Sequence, residues 1–168
     1  MRFTTVCAAF AAALPSSATM FRIASDSIDY PWAVSNWNAE CSAFQKCRYK
    51  FTITAEGNHT TQPKMPYVQA SCKGEGPNIS PAYCEIIDGD DVPTGVAAQL
   101  LPSPPSSNAT LNGTLQPAEI QISIQHFDFD SKGVQWNYTG TAVTVYNGLN
   151  TNESLNFNLK PTEIWGIA

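Results

Sequence analysis

Between residues 47 and 55, Cys47, Tyr49, Phe51, Ile53 and Ala55 interleave without a break with Arg48, Lys50, Thr52 and Thr54. Successive side chains of an extended chain point to opposite faces, so this run predicts a strand with one buried and one wet side. On a helix the same residues would scatter around the circumference and bury no common face. The pattern returns in Ile120, Ile122 and Ile124, in Val134, Trp136 and Tyr138, and in Leu155, Phe157 and Leu159. Shorter strands are expected at Pro31 to Trp37, Tyr67 to Cys72, Tyr83 to Ile87 and Ile164 to Ile167, whereas Gly95 to Leu101 fits either a strand or one or two helical turns. Seven or eight strands and no amphipathic helix predict an all-β, mostly antiparallel domain, either a barrel or a sandwich.

The alternation changes phase twice. Phe127 and Phe129 stand out of step with Ile120, Ile122 and Ile124, so a bulge is predicted near Gln125 or His126 to bring both rings into the core. His126, Asp128 and Asp130 would then face water at a strand end. Val143 and Val145 are similarly out of step with Val134, Trp136 and Tyr138, and Gly140 marks the change.

A chain of 168 residues suits one hydrophobic core. Residues 102 to about 117 are rich in Pro and Ser and read as a loose loop within that domain. At the start, Arg2 precedes the apolar run Val6 to Leu14, and Pro15 to Ala18 supply the small residues of a cleavage site. Residues 1–18 are therefore expected to be a signal peptide and 19–168 a secreted, extracellular domain; no other segment is a transmembrane candidate.

Loss of the leader removes Cys7 and leaves an even set, Cys41, Cys47, Cys72 and Cys84, expected to form two disulfides in an oxidising compartment. Zinc binding fits poorly, because no Cys-x-x-Cys knuckle occurs. Three pairings are open. Cys47 with Cys72 and Cys41 with Cys84 are preferred, since joining Cys41 to Cys47 closes only a tight local loop.

Six Asn-x-Ser/Thr sequons occur, at Asn58, Asn78, Asn108, Asn112, Asn137 and Asn152. Chance predicts about two, so glycosylation is expected once export is granted. Asn108 and Asn112 lie in the loose segment, while Asn137 sits between strand aromatics and needs its amide to face water.

Removing Arg2 leaves 8 basic against 14 acidic side chains, a net charge of −6 that disfavours nucleic acid as a partner. Lys46, Arg48 and Lys50 form a local basic stripe, read as an ordinary wet strand face. Glu85, Asp88, Asp90 and Asp91 lack the ordered spacing of a calcium loop and read as a solvated turn. His126, Asp128 and Asp130 are the one histidine and carboxylate cluster, a weak candidate polar site for a cation or a proton-transfer pair. No catalytic or cofactor motif is present, and no cofactor or metal is assigned.

The segment Trp32 to Trp37, then Cys41, then Cys47 to Ile53 resembles the opening of small fungal secreted proteins of the Alternaria major-allergen-like family. The resemblance covers about a quarter of the mature chain and implies a cysteine-containing β-barrel or sandwich linked to allergenicity or to interaction with plant defence. The expected function is a non-enzymatic interaction protein, a fungal effector or apoplastic factor, whose partner is a host or cell-wall protein or polysaccharide. Trp32, Trp37, Trp136, Tyr138 and Trp165 are candidate contacts. The alternatives are a carbohydrate-binding module, which needs such aromatics displayed in a row, and a small hydrolase built on His126 with Asp128 or Asp130. Oligomeric state is left open.

Overall fold

The computed structural model describes residues 20–23, 31–41, 47–60, 63–77, 79–91, 93–102, 116–128, 133–149 and 154–168. The expected leader (1–18) and almost all of the Pro/Ser-rich segment read as a loop (102–117) lie outside this set. The described residues form eleven strands and no helix: β1 Met20–Ile23, β2 Trp32–Cys41, β3 Cys47–Ala55, β4 Val68–Gly76, β5 Ala82–Tyr83, β6 Glu85–Gly89, β7 Thr94–Leu101, β8 Pro117–Asp128, β9 Val134–Val145, β10 Leu155–Leu159 and β11 Pro161–Ile167. They build a six-stranded sheet in the order β1-β11-β9-β8-β7-β5 and a five-stranded sheet in the order β10-β2-β3-β4-β6. Every pairing is antiparallel. Two facing sheets, rather than a closed barrel, resolve the architecture as a sandwich.

The period-two segments supply the two inner faces. β3 contributes Tyr49, Phe51 and Ile53, and β8 contributes Ile120, Ile122 and Ile124, all buried. Tyr49 ties the sheets together, its Oη donating to the Ala98 carbonyl at 2.7 Å. Burial pushes the Tyr49 phenol up to about 12, because the phenolate would be desolvated. Its ring lies over Gly74, where a Cβ would collide with it.

The strand between Gly95 and Leu101, open between two conformations in sequence, is β7. Its alternation of half-buried and buried residues matches its place between β5 and β8.

The predicted bulge near Gln125 or His126 is absent. β8 keeps unbroken register with β7 from Leu101↔Glu119 to Thr94↔His126, and with β9 from Pro117↔Val145 to Asp128↔Val134. His126 and Asp128 therefore continue the inner face of Ile120, Ile122 and Ile124, and Phe127 points outward, 38% exposed. The reason is the strand's central position. A bulge would disrupt ladders on both sides, stranding buried amides at about 1–3 kcal/mol each, which rivals the roughly 1.5–3 kcal/mol gained by burying a phenylalanine. β9 likewise runs through Gly140 without a register shift against β8, and Val143 remains exposed.

A phase change does occur in β2, whose pairing with β3 shifts between Ser35 and Asn38. Asn36 adopts φ 57° there, a left-handed conformation that asparagine tolerates better than most residues. Trp32 and Val34 before the shift, and Trp37 and Ala39 after it, thus all reach the core.

Both disulfides form, with a pairing that corrects the nested preference. Cys41 joins Cys47 across the β2–β3 pair, and Cys72 joins Cys84. The register explains this. Cys47 lies opposite Cys41 on one side and Gly76 on the other, whereas Cys72 lies opposite Phe51. Cys47 and Cys72 are offset by four positions, roughly 13 Å along the strands, well beyond disulfide reach.

Candidate functional site

Two members of the histidine and carboxylate cluster, His126 and Asp128, are enclosed where sequence reading placed them in water. His126 is 3% and Asp128 7% exposed. The imidazole stacks on Tyr138, ring centroids 5.5 Å apart, and neither ring nitrogen meets a partner at hydrogen-bonding geometry. Nearby, Tyr138 Oη donates to the Lys64 carbonyl at 3.2 Å. Burial lowers the His126 pKa below its usual value, against opposing contributions from the Asp128 charge and the Lys64 backbone. Asp130 lies outside the described residues.

The proposed aromatic contacts also fall inside. Trp32, Trp37, Trp136 and Tyr138 are buried, Trp37 packing on Tyr49, Phe51 and Phe157 and donating Nε1 to the Val145 carbonyl. Only Trp165 of that set is half-exposed. Among the described residues, no group of three or more His, Cys, Asp or Glu side chains is arranged to hold a metal ion. Asp90 instead accepts from the Tyr67 amide at 2.8 Å and approaches His59 at 3.6 Å. No described helix is long and apolar enough to cross a membrane.

Of the sequons, Asn58 and Asn137 are described; Asn78, Asn108, Asn112 and Asn152 lie outside the described residues. Asn58 Oδ1 accepts from the Thr60 amide and hydroxyl at 3.0 and 2.8 Å. Asn137 lies in mid-strand on β9, half-buried.

Two surface features were not singled out in sequence. The first is the crossing from one sheet to the other. β5 ends the six-stranded sheet, β6 ends the five-stranded sheet, and Cys84 between them is bonded to Cys72 of β4. All five residues of β6 are exposed, Ile86 at 41% and Ile87 at 56%. Against β4 the register slips so that Ala70 opposes Ile86 and Gln69 opposes Asp88, leaving Ile87 as the extra residue. Two adjacent isoleucines break the alternation of a half-buried strand, and that local irregularity was the available signal.

The second feature is a groove of about 390 Å³ on the outer face of the six-stranded sheet, lined by Ser80, Pro81, Tyr83, Gly95, Ala97, Ser123, Gln125 and Asn137, with Val96 beneath. Its floor is one end of two register rows, Gly95, Gln125 and Asn137 in the first and Ala97 and Ser123 in the second, and both rows run on beyond the groove toward β11. Gly95, Gln125, Asn137, Trp165 and Arg22 stand side by side across β7, β8, β9, β11 and β1. The adjoining row runs Tyr83, Ala97, Ser123, Thr139 and Glu163. Sequence reading had Gln121, Ser123 and Gln125 alternating with the core isoleucines of β8; the convergence of Ser123 and Gln125 with Gly95, Ala97 and Asn137 needed the pairing of β7, β8 and β9.

No family model matches the chain, and neither the curated proteins nor the solved structures contain a match.

Proposed function

We propose that this chain is a secreted, non-enzymatic interaction protein that engages an extracellular polypeptide along the edge strand β6. The observation carrying the proposal is that edge itself. Among the described residues β6 pairs with β4 on one side only, and it exposes Ile86 and Ile87. An open edge offers unpaired amides and carbonyls to an incoming strand, and proteins usually blunt such edges with charge or brevity. Glu85 and Asp88 supply some of that charge, with Asp90 and Asp91 close behind. A partner segment combining apolar and basic residues complements this edge in both respects.

The leader, the even cysteine count and the sequons support export. The resemblance to the Alternaria major-allergen-like family supports a fungal effector or apoplastic factor with a host or cell-wall protein as partner. Burial of four of the five named aromatics weighs against a carbohydrate-binding row on those residues.

The test is a protein and glycan array probed with the secreted, oxidised product and with an Ile86→Lys/Ile87→Lys variant. Both positions are exposed, so the variant is expected to fold normally. A polypeptide ligand should be selected by the parent and bound about tenfold or more weakly by the variant, a loss of about 1.4 kcal/mol or more. Binding to sugars alone, at equal strength in both proteins, rejects the reading.

A further inference from the structure

We propose that the outer-face groove is the seat of an N-linked glycan on Asn137, holding its first N-acetylglucosamine against the sheet. The inference rests on the export reading, because the modification takes place in the secretory pathway.

Three observations converge on the groove. Asn137 heads the sequon Asn137-Tyr138-Thr139 and itself lines the cavity. Its Oδ1 is enclosed and accepts no hydrogen bond, whereas Nδ2, the atom a glycan occupies, is not among the enclosed, unpartnered atoms, and the residue as a whole is only half-buried. The cavity, about 390 Å³, is at the small end of the roughly 300–1,000 Å³ range of ligand pockets.

The lining suits an uncharged pyranose. Tyr83, 87% exposed, lines the groove together with Pro81, and Trp165 neighbours Asn137 on β11 outside the lining. Aromatic faces take the apolar face of a sugar ring, and the polar groups around them orient it. Gln125 supplies an amide directly beside Asn137. Ser123 and Thr139 are already joined through their hydroxyls at 3.1 Å, leaving Gln125 as the adaptable donor and acceptor. At Gly95 an added Cβ would meet nothing within 4 Å, so the floor is open where a ring would rest. No ionised side chain lines the groove.

In the transfer, Asn137 Nδ2 bonds to C1 of the sugar of a lipid-pyrophosphate-linked oligosaccharide. The bond from C1 to the pyrophosphate oxygen breaks, the lipid pyrophosphate departs, and the amide gives up one proton. This occurs on the extended chain before β9 is enclosed between β8 and β11, so pairing does not obstruct it.

The experiment uses the full chain secreted from a glycosylating eukaryotic host. Glycopeptide mass spectrometry reads occupancy, and an endoglycosidase that cuts between the first two N-acetylglucosamines is applied to the folded protein over time. The expected result is that Asn137 is occupied and is cut about tenfold more slowly than Asn108 and Asn112, the equivalent of about 1.4 kcal/mol of protection. Gly95→Leu, which adds bulk to the groove floor at a position where a Cβ meets nothing within 4 Å, and Tyr83→Ala, which removes a lining side chain, should each raise the rate at Asn137 to that of the other sites. A bare Asn137 beside an occupied Asn108 overturns the seat while leaving export standing. Equal cutting rates in the parent, or indifference to both variants, overturns it as well. A product with its leader retained and every sequon bare removes the export reading and the seat together.

Discussion

The two sheets share one core but present unlike outer faces. On the five-stranded sheet, Arg48 and Lys50 of β3 meet Glu75 and Lys73 of β4, with Glu40 on β2 completing a charged surface. Arg48 reaches Glu75 at 3.3 Å, but Lys50 stands directly opposite Lys73. On the six-stranded sheet, the central strands carry Gln99, Gln121, Thr141, Ser123, Thr139, Gln125, Asn137 and Gln135 outward, amides and hydroxyls, with charge confined to Glu119 at the start of β8 and to the Arg22–Glu163 pair toward the β11–β1 edge. Water solvates either surface, so folding does not require the distinction. Charge keeps one face wet and wards off edge association, whereas an uncharged amide surface leaves room for a neutral ligand or a covalent sugar.

The largest expected effect separates inner from outer on one strand. Ile122→Ala should lower unfolding free energy by about 2–5 kcal/mol through a cavity in the shared core. Ser123→Ala, its outward neighbour, should cost no more than about 1.5 kcal/mol, the scale of one hydrogen bond. Denaturant titration with disulfides intact reads both, and equal losses would break the assignment of faces.

Tyr49→Phe removes the phenolic bond between the sheets and leaves the Ala98 carbonyl without its buried donor, at a cost of about 1–3 kcal/mol. The same titration reads it. In the parent, ultraviolet titration should find one phenol ionising near 12.

His126 makes the inner face sensitive to acid. Because its pKa is lowered in the fold, the unfolded chain binds the proton more readily below the ordinary value of 6.5. The histidine's favourable contribution is complete above that value and is lost as pH falls toward the folded pKa. Urea midpoints should therefore decline over this window, and His126→Phe should flatten that part of the decline. An unchanged profile in the variant would assign the acid sensitivity elsewhere.

The smallest effect lies on the charged face. Lys50→Glu replaces a cross-strand repulsion with an attraction to Lys73 and should stabilise by about 0.2–1 kcal/mol, less at high salt. Gln125→Asn at the uncharged centre of the other face should show no salt dependence of that kind. Equal salt responses in thermal melts would erase the contrast.

Much of the sandwich was legible because burial on one side imposes alternation. β3 could be assigned residue by residue, with Cys47, Tyr49, Phe51, Ile53 and Ala55 on the expected inner face. β8 was legible only in part. Its two phases were visible, but their resolution depended on β7 and β9, which hold the strand straight and turn Phe127 out. The same absent information misdirected the cysteine pairing and placed four buried aromatics among candidate contacts. The adjacent isoleucines left a local irregularity in sequence, but that they lie on an edge, like the convergence that makes the groove, is a relation between segments distant in the chain.

The amino-acid order alone determined an all-β chain, the side chains available to each face of its longer strands, and the cysteines from which crosslinks could be drawn. These are consequences of geometry repeating every two residues. Tertiary structure decided which strand became an edge, which cysteines came within bonding distance, and whether His126 or Phe127 entered the core. Those choices depend on register between neighbouring strands, and register is settled by the joint satisfaction of backbone hydrogen bonds and core packing.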